Sequence, residues 1–203
     1  MKTFYLFASL GVLGLLYLSP TSAQSPRQTN LIITESTQEA AKLDSRYSQL
    51  QEYLKQQDWE AADQETYELM LKIAGSESEQ QGSFNLTEWQ NFSCEAFKQI
   101  DKLWLEASDS KLGFSTQNKI LEEVQDYNLF YFRIGWKRKL LKDDWAVVWE
   151  YDQESQKTEY LTDKKPNFEE PPDGHLPAKL EWETPEGESP QDRRFEAIDR
   201  CNL

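Results

Sequence analysis

The chain has 203 residues and a formal net charge of −14, from 36 acidic against 22 basic side chains. That length suits one domain, and so acidic a surface repels nucleic acid and anionic lipid head groups, so neither is expected as a partner. Two cysteines and one histidine are too few to suggest a zinc site.

Behind Lys2 runs an apolar stretch from Phe4 to Leu18. At about fifteen residues it falls short of the roughly 20 needed to span a bilayer. With Thr21 and Ala23 in a small-residue exit, it reads as an export signal over residues 1–23, cut after Ala23. An uncleaved membrane anchor is the alternative. Residues 24–35 are polar and unpatterned, a linker, and residues 36–203 form the domain.

Leu43, Tyr47, Leu50 and Leu54 recur at helical spacing and predict a helix ending near Gln57. Asp58 is a good N-cap for a second helix carrying Trp59, Ala62, Thr66, Met70 and Ile73, which Gly75 stops. Residues 76–85 read as polar loop, with glycosylation-type sequons at Asn85 and Asn91. A third helix presents Phe97, Ile100, Leu103 and Trp104 on one face. After the turn "SDSKLG", Ser115 is expected to cap a fourth helix with Ile120, Leu121 and Val124. "YNLFYFRIGW" fits helix or strand, and the alternation in "WAVVWEY" and "KTEYL" suggests a hairpin. Prolines and glycines from Lys164 to Pro190 exclude long regular elements, and "DRRFEAIDRC" closes the chain as a short helix. The class is mainly α, with a long irregular loop toward the C-terminus and one small β-hairpin. Cys94 and Cys201 either form one disulfide, as an exported protein allows, or remain buried thiols.

Catalytic signatures are missing. The sequence has no glycine-rich phosphate loop, serine elbow or paired-histidine helix, and nothing local sets a nucleophile beside His175, the single histidine. No catalytic residue, metal ligand or required cofactor is assigned, and the reading is a non-enzyme. The aromatics are more informative: seven Trp, nine Tyr and ten Phe. Trp136, Trp145, Trp149, Phe168 and Trp182 fall in the irregular C-terminal third, which hints at a concave apolar surface for a large flat ligand. Beside them, "RIGWKRKLLK" holds Arg133, Lys137, Arg138, Lys139 and Lys142. This patch is either a solvated helix end or a landing place for a ligand's carboxylates.

Five blocks occur in order: "DWEAADQETYELML", "FSCEAFKQIDKLWLEAS", "KLGFSTQNKIL", "RIGW" and "GHLP". Through Trp59, Ala62, Asp63 and Thr66, Ile100, Asp101, Leu103 and Trp104, Gly113, Phe114, Ser115 and Gln117, Gly135 and Trp136, and Gly174 to Pro177, they closely resemble the "genomes uncoupled" (Gun4-type) tetrapyrrole-binding family, here a short variant with an export signal. The resemblance covers roughly residues 43–203 and implies an all-helical domain shaped like a cupped hand. Its implied role is non-catalytic binding of protoporphyrin IX or its magnesium form, as carrier or sensor in chlorophyll biosynthesis. The porphyrin is a ligand here, not a cofactor. Lys111 and Leu112 stand where the family commonly has an arginine and an aromatic residue.

The ligand-binding residues that follow are Lys111, Leu112 and Phe114, then Phe132, Trp136, Lys137, Arg138 and Trp145, then Phe168, His175 and Leu176. Burying about 300 Å² of macrocycle gains on the order of 7 kcal/mol before ordering costs. His175 is expected to fix its loop by a hydrogen bond rather than ligate a metal. The loop from Lys164 to Leu180 is expected to be a weakly held lid whose Phe168 closes on the ligand. The family's terminal helix returns to the Ile-Asp-x-Leu-Trp helix, which implies a Cys94–Cys201 bond. The expected protein is a monomer in the periplasm, thylakoid lumen or medium, and magnesium chelatase is its partner only if the chain is intracellular. An exported interaction module that no longer binds porphyrin is the alternative.

Overall fold

Among the described residues, seven α-helices, a hairpin and a terminal helix follow one another, most of them set by local signals. A computed structural model describes residues 45–142, 144–152, 157–179 and 194–203. The expected export signal and linker, with Leu43, Leu180 and Trp182, lie outside them. A 3-10 turn, Ser45–Tyr47, leads into α1 (Ser48–Gln56). Gln57 takes a left-handed conformation and Asp58 then accepts the Ala61 N–H, so two residues suffice to reverse the chain into α2 (Trp59–Ala74). The helix expected up to Gln57 and the cap expected at Asp58 are both present.

Residues 76–85, expected as loop, instead contain α3 (Ser76–Gln81), followed by α4 (Leu86–Gln90). The six polar residues of α3 and the five residues of α4, of which Leu86 and Trp89 are apolar, are too few to show a helical period, and a side chain from elsewhere stabilises the first of these turns. The Glu88 carboxylate accepts the N–H groups of Glu77 and Ser78 at 3.1 and 2.7 Å and the Ser78 hydroxyl at 2.6 Å. Those bonds, the Ser78 hydroxyl first, hold the Glu88 pKa below its usual value.

Helix α5 (Cys94–Ala107) starts at the Ser93 cap and buries Phe97, Ile100, Asp101, Leu103 and Trp104. Asp109 and Ser110, both at positive φ, turn the chain into α6 (Phe114–Val124). Ser115 does not cap this helix. It lies within the first turn and gives its N–H and hydroxyl to Asp101 of α5, so the neighbouring helix supplies the cap. The ambiguous aromatic segment is helical, α7 (Tyr127–Arg133), capped by Asp126, which accepts the Leu129 N–H. Strands β1 (Trp149–Asp152) and β2 (Lys157–Tyr160) pair antiparallel with Trp149 opposite Tyr160. Helix α8 (Arg194–Cys201) ends the chain.

Leu43–Leu203 cluster as one compact unit. Its interior is unusually aromatic. Phe84, Trp89, Phe92, Phe97 and Phe114 are all buried, with Phe97 and Phe114 stacked at 4.6 Å. Each such ring contributes area burial plus about 0.5–1.5 kcal/mol of ring–ring attraction, and of the rings singled out in the C-terminal third Trp136 is buried with them while Trp145 and Phe168 are half-buried. Among the described residues no helix is long and apolar enough to cross a membrane.

Candidate functional site

The motifs that carry the family resemblance meet around one irregular segment, Gly174 to Lys179. A loop can be buried only if its backbone polar groups find partners, and here the four consecutive carbonyls of residues 174–177 all do. Gln117 Nε2 donates to the carbonyls of Gly174 and Pro177, each at 3.0 Å. The indole of Trp136 donates to that of His175 at 2.9 Å, and the Gly113 N–H to that of Leu176 at 2.9 Å. The Gly174 N–H goes to the Lys111 carbonyl at 2.7 Å.

Asp63 in α2 closes the segment. Its carboxylate accepts the N–H groups of Ala178 and Lys179 at 2.6 and 3.2 Å and the Tyr160 hydroxyl at 2.6 Å. Burial pushes the Asp63 pKa up, against these bonds, and pushes that of Tyr160 well above its usual value, with the adjacent carboxylate adding to the effect. Tyr160 thus stays a donor. Arg194 of α8 is fully buried, donating to Gln117 Oε1 at 2.8 Å and to the Pro177 carbonyl at 3.3 Å, with its guanidinium 4.5 Å from the centre of the Trp136 ring. In α5, Trp104 donates to the Thr66 hydroxyl at 2.9 Å. Gly174 sits at φ 74°, and a Cβ there would come 2.7 Å from Ile120, so the bend requires glycine.

His175 is 2 % exposed. The Asn167 N–H donates to its Nε2 at 2.9 Å, so that nitrogen carries no proton, and Nδ1–H faces the Ile134 carbonyl. Burial lowers the pKa of this imidazole. Both ring nitrogens are engaged in fixing the loop. Among the described residues no three His, Cys, Asp or Glu side chains gather to hold a metal ion.

This geometry corrects the expectation of a weakly held loop for its C-terminal part, Gly174–Lys179. Gly174–Lys179 is core, and Phe168, expected to close on a ligand, instead lies half-buried edge-on to Tyr160 at 6.2 Å. Composition misled here because prolines and glycines show only that a segment is irregular, not that it is loose. Of the residues proposed to face a ligand, Leu112, Phe114, Trp136, Lys137, His175 and Leu176 are buried. Lys137 donates to Asn128 Oδ1 at 2.9 Å and lies 5.0 Å from the centre of the Trp145 ring, which is half-buried edge-on to Tyr131. Lys111, Phe132 and Arg138 are exposed. A cleft of about 530 Å³ is lined by Ser110, Thr116, Lys119, Ile120, Glu123, Arg133 and Asp173, and holds none of the aromatic residues expected to meet a ligand.

A different surface stands out. Residues 136–142 and 144–147 fold back on each other as an arm. The Trp136 carbonyl accepts the N–H groups of Ala146 and Val147, and the Arg138 N–H goes to the Asp144 carbonyl at 2.8 Å. Leu140 and Leu141 lie near the tip, Leu141 94 % exposed, flanked by Arg138, Lys139 and Lys142. Asp144 pairs with Arg138 at 2.7 Å and Lys139 at 3.5 Å; the Arg138 bond is the main reason its pKa is lowered. Phe132, 41 % exposed, and Tyr127, 54 % exposed, add ring surface on α7. Sequence reasoning named the cations and Phe132 but passed over Leu140 and Leu141. The available signal was two leucines inside a run of cations where no helical stripe claims them.

A family model described as GUN4-like matches residues 40–188. The chain belongs to the GUN4-like family. Curated relatives include the chloroplastic tetrapyrrole-binding protein of Arabidopsis thaliana, 32% identical over 63% of this chain and 46% of that protein. The Ycf53-like protein of Synechocystis is 30% identical over 52% of this chain and 46% of its own length. The chain thus spans about half the length of the curated relatives it matches. The structure of GUN4 from Chlamydomonas reinhardtii matches with a TM-score of 0.53 at 24% identity, over 76% of this chain and 86% of that one, which supports the helical fold. The ligand-free structure of Arabidopsis GUN4 gives a TM-score of 0.49 at 24% identity, over 77% of this chain and 90% of that one. In this GUN4-like domain the signature residues Asp63, Thr66, Asp101, Trp104, Gln117, Trp136 and His175 form a frame that bonds to itself.

Proposed function

We propose that this GUN4-like domain binds a porphyrin of the protoporphyrin IX or magnesium-protoporphyrin IX type without transforming it, as carrier or sensor. The observation that carries the reading is the arm: Leu140 and Leu141 exposed among Arg138, Lys139 and Lys142, with Phe132 nearby in sequence, on a chain of net charge −14. An apolar macrocycle with two propionates asks for that combination. Taking Leu141 fully out of water under the ring face would contribute about 1.5–3 kcal/mol, and Leu140, 38 % exposed to begin with, less. Cations beside them meet the carboxylates at distances where screening, with a Debye length of about 8 Å, is weak. The frame contributes position: the Trp136 carbonyl holds the arm's return strand, and Trp136 is itself locked by His175 and Arg194. The tetrapyrrole named for the Arabidopsis relative supports the same ligand class. No bond of the ligand is broken in this scheme, so no general acid, base or nucleophile is required.

Titration with deuteroporphyrin, followed by tryptophan quenching, tests the proposal. Saturable quenching at micromolar ligand is the expected result. No saturation up to high micromolar, together with recovery of a protein partner, turns the reading to an interaction module.

We further infer an exported location, supported by the apolar run Phe4–Leu18 and by the disulfide between Cys94 and Cys201. Work on magnesium chelatase would then require a separate intracellular form. Fractionation of the native cell tests this, since a cytosolic full-length chain reverses it.

A further inference from the structure

The disulfide between Cys94 and Cys201 spans 107 residues of sequence and joins the first turn of α5 to the last residue of α8, with Cα atoms 5.1 Å apart. Its two ends differ. Cys94 is partly exposed, and Cys201 is 2 % exposed. Cys94 also opens a helix, where unpaired N–H groups stabilise a thiolate, whereas Cys201 lies at the opposite, unfavourable end of its helix.

Helix α8 does more than fill space. Phe195 packs on Phe130 of α7 at 5.2 Å, and Arg194 bonds Gln117 and the Pro177 carbonyl while covering the Trp136 ring. Trp136 in turn accepts the two N–H groups that fold the arm back. A contiguous chain of contacts therefore runs from the disulfide through α8 and Arg194 to Trp136 and the arm.

We infer that the Cys94–Cys201 bond is a redox lock on the arm, opened by a dithiol reductant; this rests on the reading of the arm as the tetrapyrrole-binding surface. A thiolate of the reductant attacks the sulfur of the partly exposed Cys94, forming a mixed disulfide and expelling the Cys201 thiolate, which takes up a proton. The reductant's second thiol then attacks its own bonded sulfur, releasing Cys94 as a thiolate in the helix's first turn. The dithiol leaves as a disulfide, having given two electrons to the cysteines, with the protons balanced through solvent. Without the bond, what holds α8 among the described residues is its side-chain contacts. Arg194 then spends more time away from Trp136, and the arm loses its preorganisation. The oxidised protein is the binding-competent form and the reduced protein the releasing one.

Amide hydrogen exchange on the full-length protein, oxidised and after dithiothreitol, tests this with and without deuteroporphyrin. Reduction should lower protection at residues 136–147 at least tenfold, reversibly on reoxidation, with far-UV dichroism retained and deuteroporphyrin affinity weakened about five- to twentyfold. Arg194→Gln in the oxidised protein should loosen 136–147 to a similar extent with the disulfide intact. Protection at 136–147 that stays within twofold on reduction, or an even loss across the whole domain, overturns the lock and leaves a plain staple. A loosened arm with no deuteroporphyrin binding in either state upholds the lock while sinking the tetrapyrrole reading.

Discussion

Two stretches of this chain look equally irregular in sequence and behave as opposites in the structure. Gly174–Lys179 is buried, with each carbonyl from Gly174 to Pro177 accepting a hydrogen bond. The arm from Trp136 to Val147, built with as little regular structure, projects Leu140 and Leu141 outward among cations. The first holds the second through one residue, Trp136, whose indole reaches His175 and whose carbonyl ties the arm. The motifs that identify the family are thus framework in this domain, and the exposed leucines and cations of the arm lie outside those motifs.

The sharpest way to break this contrast is at Asp63. Asp63→Ala removes one acceptor from three donors, those of Ala178, Lys179 and Tyr160. It should cost about 3–5 kcal/mol in urea unfolding, since buried donors left unpaired cost about 1–3 kcal/mol each and are partly rescued by water. A loss below about 1 kcal/mol would mean that the segment is not framework.

Next comes Phe168, whose ring meets Tyr160 edge-on. Phe168→Ala should lower stability by about 1–2 kcal/mol, less than a fully buried ring costs, and leave deuteroporphyrin affinity unchanged. Weakened binding at unchanged stability would restore the lid.

The arm should answer in the opposite sense. Leu141→Ser, at a side chain 94 % exposed, should change stability by less than about 0.5 kcal/mol. Deuteroporphyrin binding should weaken by roughly 1–2 kcal/mol, because a contact made only in the complex is lost. Equal affinity for variant and parent would remove the arm from the site.

The smallest effect is a pH dependence. Burial holds His175 below its ordinary pKa, so between that lowered value and about 6.5 the unfolded chain binds the extra proton. Stability should therefore rise with pH across this window and fall as the solution is acidified below about 6.5. Burial raises the carboxyls of Asp63 and Asp101, so their contribution has the opposite sign, declining as pH rises above the ordinary carboxylate range. Melting curves of parent and His175→Gln isolate the imidazole: the difference between them should shrink as pH falls from 7 to 5. A constant difference would count against a neutral, loop-fixing histidine.

The helices were legible because their causes are local. Asp58 before an apolar stripe, Gly75 after it, and the spacing of Phe97, Ile100 and Trp104 need only a few neighbouring residues to act. The hairpin of "WAVVWEY" and "KTEYL" was legible for the same reason. α3 was not, because it depends on Glu88 reaching back ten residues, and the cap of α6 was misassigned to Ser115 because Asp101 on another helix supplies it. Within the candidate site, the sequence alone exposed the cluster of cations after Trp136 and, through five ordered motifs, the family. Whether an aromatic, a histidine or a loop faces ligand or core depends on long-range partners: Asp63 to Ala178 across 115 positions, Gln117 to Pro177 across 60. A hydrogen bond of that reach leaves no period or cap in the chain. Only the packed structure could make Gly174–Lys179 interior and leave Leu141 in water.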